Sequence, residues 1–122
     1  MQRCLIVDDS KVIRMVARKI IRELGFETDE AADGAMALEA CRKTMPDAIL
    51  LDWNMPVMNG IGFLKVLRGL PEGGMPVVIF CTTEDDVSHI EAALAAGAND
   101  YIMKPFDSEI ITGKFSQVGL IA

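Results

Sequence analysis

The sequence predicts an α/β domain with a doubly wound, five-stranded parallel sheet and five helices on its two faces. Three observations carry that reading. Short, uninterrupted apolar runs recur, as in residues 4–7, 48–51 and 77–81, which is how strands buried on both faces of a parallel sheet present themselves. Segments with apolar residues at helical spacing alternate with those runs, and such alternation implies right-handed crossovers. The runs also stop at polar residues, Asp8-Asp9, Asp52, Thr82 and Lys104, at the carboxyl ends where open α/β sheets bind ligands.

Residues 3–7 form the first strand, ending at Asp8-Asp9, and Ser10 caps the helix that follows. Ile13, Val16, Ala17, Ile20 and Leu24 supply its inward stripe, Arg14, Arg18 and Arg22 its solvated side, and Gly25 its end. Residues 26–32 alternate weakly and carry Glu27, Asp29 and Glu30, which suits an edge strand. Asp33-Gly34 turns into a helix that ends near Lys43 or Thr44, with Ala35, Leu38 and Cys41 inward and Pro46 blocking continuation. The central strand, Ala48 to Leu51, stops at Asp52, and Met55-Pro56 and Asn59-Gly60 turn the chain into a helix from about Gly60 to Arg68. Pro76 to Cys81 is the fourth strand. Glu84-Asp85-Asp86 places acid at the next helix's amino terminus, where the macrodipole favours it. That fourth helix is read with Val87, Ile90 and Leu94 inward and Ser88, His89, Ala92 and Ala96 outward, stopping at Gly97. Asn99 to Met103 is a short fifth strand, and Lys104-Pro105 leads into a last helix with Ile111, Phe115 and Val118 inward.

At 122 residues the chain is one domain, residues 1–122, long enough to bury a core without staples. Its longest apolar runs fall far short of a bilayer span of ~20 residues, and Asp8 and Asp9 interrupt any leader-like start, so a soluble, cytoplasmic protein is expected. Cys4, Cys41 and Cys81 are odd in number and set in apolar segments, which points to core residues and not to a disulfide framework or a zinc site. A net charge of −6 disfavours direct nucleic-acid binding.

Asp8, Asp9 and Asp52 repel one another unless a cation lies between them. A carboxylate trio, a hydroxyl and an ammonium around one crevice suit a phosphoryl group and a hard divalent ion, and magnesium in particular. The same residues, Asp8-Asp9, Asp52 with Met55-Pro56 and Asn59-Gly60 behind it, Thr82, and Lys104-Pro105 preceded by Tyr101, closely resemble response-regulator receiver domains, of the stand-alone chemotaxis-regulator type, along essentially the whole chain. The resemblance implies the flavodoxin-like strand order 2-1-3-4-5 and a cis Lys104-Pro105 bond. It implies that Asp52 accepts a phosphoryl group from a partner's phosphohistidine with Mg²⁺ present. Asp9, Asp52 and the backbone carbonyl of Asn54 would hold the ion directly and Asp8 through water. Lys104 and Thr82 would contact the phosphoryl oxygens, and Thr82 and Tyr101 would form the switch. Thr83 stands where receivers usually carry a very small residue, and Asn54 and Glu84 match types that favour rapid phosphoryl loss.

The expected function is a single-domain response regulator that catalyses only its own phosphorylation and dephosphorylation. Its partners would be a sensor histidine kinase or phosphotransfer protein and a downstream protein met through helix 4, strand 5 and helix 5, as a monomer or a phosphorylation-dependent dimer. One alternative is a receiver cut from a longer regulator. Another is a phosphatase of the haloacid dehalogenase type, but that chemistry needs a second aspartate as acid and base where this chain has Asn54. A dinucleotide-binding module lacks its Gly-x-Gly-x-x-Gly turn here, and an inert adaptor would have lost an acid or Lys104. His89, the only histidine, is expected on an outward face and so is no phosphodonor in cis, and Trp53 is expected to serve as a fluorescent reporter.

Overall fold

The computed structural model describes residues 2–83 and 88–122. Its elements run β1 (Arg3–Val7), α1 (Lys11–Glu23), β2 (Glu27–Ala31), α2 (Gly34–Lys43), β3 (Ala48–Asp52), α3 (Gly60–Gly69), β4 (Val77–Thr82), α4 (Ser88–Ala95), β5 (Asp100–Met103) and α5 (Ser108–Gln117). Every strand pair is parallel and the order is β2-β1-β3-β4-β5, so the doubly wound fold and its flavodoxin-like order both hold. Side-chain oxygens begin four of the helices. Ser10 accepts from Ile13 N, Asp33 from Met36 N, Asn59 from Gly62 N and Asp107 from Ile110 N, each satisfying a backbone donor that the helix itself leaves unpaired.

The strands' alternation divides the core in two. Leu5, Val7, Leu51 and Phe80 face Leu38, Phe63 and Leu64 of α2 and α3, whereas Ile6, Leu50 and Ile79 face Ile21 of α1 and Phe115 of α5. Phe26 and Phe115 meet edge to face at 5.3 Å on that second side. All five residues of β3 are buried; each leucine there contributes about 1.5–3 kcal/mol. The three cysteines are buried and free, as expected. Register then places the site, because Val7 lies beside Leu51, Asp52 beside Cys81, and Thr82 beside Met103. The polar residues at or just past these positions therefore emerge at one edge of the sheet.

Four details differ from the sequence reading. On α1 the buried stripe is Ala17, Ile20 and Ile21, and Val16 is exposed. Its arginines are not simply solvated: Arg14 and Arg18 reach Glu30 on β2, and Arg22 donates to Thr28. On α2, which Asp33 caps, Ala35 is exposed and Ala37, Leu38 and Cys41 face in, the spacing that puts one face of a helix on the sheet. On α4 the buried residue is Ala93, Leu94 is 43 % exposed, and His89 is half-buried against Trp53. Alanines at 92, 93, 95 and 96 leave that helix little contrast between faces, so close approach of a small residue to the sheet outweighs burial of one leucine. Val87 and the acids at 84–86 lie outside the described residues. Among the described residues no helix is long and apolar enough to cross a membrane.

Candidate functional site

Five side chains converge on the carboxyl edge of the sheet. Asp8 and Asp9 follow β1, Asp52 ends β3, Thr82 ends β4 and Lys104 follows β5. Asp8 is 4 % and Asp52 6 % exposed, so both carboxylates are sunk into the edge, while Asp9 stands at the rim. Oxygens of Asp8, Asp9 and Asp52 lie within 4.8 Å of one another. The ammonium of Lys104 donates to Asp8 Oδ2 at 2.6 Å and pairs with Asp52 Oδ1 at 3.1 Å. A shallow cleft above them is lined by Asp9, Asp52, Trp53, Asn54, Thr82, Thr83 and Lys104.

The backbone holds these groups in place. Asp8 N donates to Ala31 O at 3.1 Å, Ser10 N donates to Asp8 Oδ1 at 2.9 Å, and Lys104 N donates to Thr82 O at 2.6 Å. The Lys104-Pro105 bond is cis, as the resemblance implied. Gly60 packs so tightly behind Asp52 that a Cβ there would lie 2.5 Å from the Asp52 carbonyl oxygen, and only glycine lets α3 begin at that point.

Electrostatics oppose full ionisation. Burial first, and the neighbouring charge of Asp8 second, push the Asp52 carboxyl above its ordinary value against the pull of Lys104. Burial alone would lower Lys104, yet its hydrogen bond to Asp8 and the charges of Asp52 and Asp8 carry it above its usual value. Three carboxylates with one ammonium leave an excess of negative charge and oxygen donors, which fits a hard divalent cation.

All the residues expected at the site gather there except Tyr101, which lies on β5 outside the cleft, 37 % exposed, with the Lys114 ammonium 5.6 Å from its ring centre. Thr83, which stands where receivers usually carry a very small residue, lines the cleft, and Asn54 sits on the rim; Glu84 lies outside the described residues. Two contributors were missed. Arg14 donates to the Asp8 carbonyl at 2.6 Å and pairs with Glu30 at 3.2 Å, tying the turn that bears Asp8 and Asp9 to β2. His89 stacks on Trp53 with ring centres 3.7 Å apart and planes at 24°. For Arg14 the available signal was its place one turn into the helix that follows the acidic pair. For His89 there was none, because its neighbours made the helix phase ambiguous.

Comparison with known proteins agrees with this geometry. The chain matches the response regulator receiver domain family over residues 4–115. It is 42 % identical over 105 residues to the DNA-binding response regulator MtrA of Mycobacterium tuberculosis, covering 86 % of this chain and 45 % of that protein. To the chemotaxis protein CheY-3 of Vibrio cholerae it is 38 % identical over 117 residues, covering 95 % of this chain and 90 % of that one. The chain thus spans less than half of MtrA and most of CheY-3. Among solved structures, Vibrio cholerae CheY4 superposes with a TM-score of 0.90 at 34 % identity, over 97 % of this chain and 98 % of that one. The receiver domain of the sensor histidine kinase PA1611 of Pseudomonas aeruginosa, with a magnesium ion coordinated in its active-site cleft, gives 0.86 at 30 % identity, with 95 % of each chain covered. By its sequence, its strand order and the residues gathered at its sheet edge, the chain belongs to the response regulator receiver domains of two-component signalling, whose common function is to accept a phosphoryl group.

Proposed function

We propose that Asp52 is the phosphoacceptor of a cytoplasmic, stand-alone switch, charged by the phosphohistidine of a histidine kinase or phosphotransfer protein. The observation that carries this reading is the buried Asp52 carboxylate, 3.1 Å from Lys104 and within 4.8 Å of two further carboxylates, at the foot of an open cleft. An Asp52 oxygen attacks phosphorus as the phosphorus–nitrogen bond breaks. The electron pair stays on the donor's imidazole and an acyl phosphate forms on Asp52. Phosphoryl transfer needs in-line positioning and charge neutralisation more than covalent help. Lys104, already between Asp8 and Asp52, is placed to pair with a phosphoryl oxygen, and the Thr82 hydroxyl at the end of β4 to donate to another. Asp9, Asp52 and the Asn54 backbone carbonyl would hold Mg²⁺, with Asp8 acting through water, and the ion would supply the remaining positive charge. The chain acts as its own catalyst in gaining and losing the group and turns over no external substrate.

Output in this reading runs through Thr82 and Tyr101 to the surface formed by α4, β5 and α5. Tyr101 is half-exposed beside Lys114, and Ser88, Ala92 and Ala95 make the outward side of α4 small. A net charge of −6 supports a protein partner over a nucleic acid.

The test is mass spectrometry after incubation with a small acyl-phosphate donor and Mg²⁺. Wild type gains one phosphoryl group, mapped to Asp52, and Asp52→Asn gains none there. Wild type left unmodified by several donors in excess metal, or a phosphopeptide elsewhere with Asp52 clean, overturns the reading.

A further inference from the structure

Of the three acids at the sheet edge, Asp9 is the one whose place depends on the backbone. Asp8 has both carboxylate oxygens engaged, Oδ1 by Ser10 N at 2.9 Å and Oδ2 by Lys104 at 2.6 Å, and Asp52 Oδ1 pairs with Lys104 at 3.1 Å. Asp9 is exposed, and among the described residues no donor or cation reaches its carboxylate. One of its oxygens nevertheless lies within 4.8 Å of those of Asp8 and Asp52, against their repulsion. The turn that carries it must therefore hold it there.

That turn is gripped at the peptide joining Asp8 to Asp9. The Asp8 carbonyl shares one planar unit with the Asp9 N–H, and the Arg14 guanidinium donates to it at 2.6 Å. Arg14 is itself fixed at both ends. Its backbone N–H donates to Ser10 O at 3.0 Å in the first turn of α1, and its Nε pairs with Glu30 Oε1 on β2 at 3.2 Å, the side chain being 16 % exposed. The other Glu30 oxygen accepts from Arg18 at 2.9 Å. A planar guanidinium spans a carbonyl and a carboxylate at once, whereas an ammonium is a single point of charge. We infer that Arg14 is a positioning residue for the cation: by clamping the Asp8–Asp9 peptide between α1 and β2 it aims the Asp9 carboxylate at the ion. This rests on the reading that the acidic trio holds Mg²⁺. The clamp bears on Mg²⁺ above other ions, because Mg²⁺ demands a near-octahedral oxygen shell and Ca²⁺ accepts a looser one. The positive charge of Arg14 acts in the opposite sense, repelling the ion from behind the trio. Arg14→Lys keeps that charge and removes the fork.

The test is calorimetric titration of the full chain with Mg²⁺ and with Ca²⁺, in wild type, Arg14→Lys, Arg18→Lys, Asp9→Ala and the double variant Asp9→Ala with Arg14→Lys, each first shown to unfold cooperatively in urea. Partners that orient metal ligands are worth about tenfold or more in affinity, so Arg14→Lys is expected to raise the Mg²⁺ midpoint about tenfold and the Ca²⁺ midpoint by no more than about threefold. Arg18→Lys loosens the same Glu30 but leaves the Asp8 carbonyl alone, and it stays within about twofold of wild type for both ions. In the Asp9→Ala background Arg14→Lys adds less than about twofold, because the carboxylate it positions is gone. An unchanged Mg²⁺ midpoint in Arg14→Lys overturns the inference. So do equal shifts for the two ions, an equal loss in Arg18→Lys, or a loss from Arg14→Lys that persists in full without Asp9. If wild type takes up no Mg²⁺, it is the metal reading of the trio that falls, and the inference with it.

Discussion

Without metal, Asp52→Asn stabilises the fold at neutral pH, although it removes the group on which the proposed function depends. Asp8 and Asp9 each present an oxygen within 4.8 Å of Asp52, and Lys104 lies 3.1 Å away. At an effective dielectric constant of about 20, each repulsion is at least ~3.5 kcal/mol and the attraction about 5 kcal/mol. Removing one charge therefore relieves a net repulsion of about 1–2 kcal/mol, and Lys104 keeps Asp8 at 2.6 Å as a partner. Urea unfolding in chelator, followed by Trp53 emission, should show a midpoint higher by roughly 0.5–1 M. The pH dependence carries a sign. Asp52's folded-state carboxyl lies above its ordinary value because of burial and Asp8, so its favourable contribution is complete below the unfolded value and is lost as pH rises through the folded one. The variant's advantage is thus largest at neutral pH and disappears as pH falls below the ordinary carboxylate range. Saturating Mg²⁺ also shrinks it, by neutralising the trio in wild type. An asparagine variant less stable than wild type at neutral pH in chelator, or an advantage that persists into acid, would refute the electrostatic reasoning.

Asp9→Ala removes one rim carboxylate of the trio, and its Mg²⁺ midpoint, followed by Trp53 fluorescence, should rise about tenfold or more; an unchanged midpoint shows that Asp9 is not a ligand. Thr83→Ala widens the cleft and should speed modification by acetyl phosphate several-fold in a stopped-flow or mass-spectrometric time course, whereas an equal or slower rate means that Thr83 does not limit access. Arg68 donates to the carbonyls of Gly73, Pro76 and Gly97 and to Asn99 Oδ1, tying α3 to the loops that precede β4 and β5. Arg68→Met strands those acceptors and should cost about 2–3 kcal/mol in urea unfolding with no change in the rate of acetyl-phosphate labelling.

What the sequence made legible was whatever sits directly on the backbone pattern. The buried runs ending at Val7, Leu51 and Cys81 located strands to within a residue, and Asp8, Asp52, Thr82 and Lys104 followed because each adjoins a strand end. The left-handed turn at Val57 was hidden, since Met55-Pro56 and Asn59-Gly60 announce a turn without saying which residue adopts positive φ. Long side chains hid the rest. Arg14, Arg18 and Arg22 have the spacing of a solvated face, yet their reach takes them to Glu30 and Thr28.

His89 shows what such a misreading changes. Placed outward by sequence, it instead stacks on Trp53 at 3.7 Å, so the indole that adjoins the proposed nucleophile also touches α4. Trp53 emission then reports two things at once, charge at Asp52 and the seating of α4. Among the described residues the buried Trp53 indole N–H has no acceptor, and this stack is the ring contact that α4 makes with it. His89→Ala should therefore free the indole, shift its emission to longer wavelength and cost about 1 kcal/mol of stability. Because the acidic trio is untouched, the Mg²⁺ midpoint read by calorimetry should match that of wild type even though the fluorescence amplitude changes. A midpoint that moves with the amplitude would mean that α4 and the metal site are coupled through this stack.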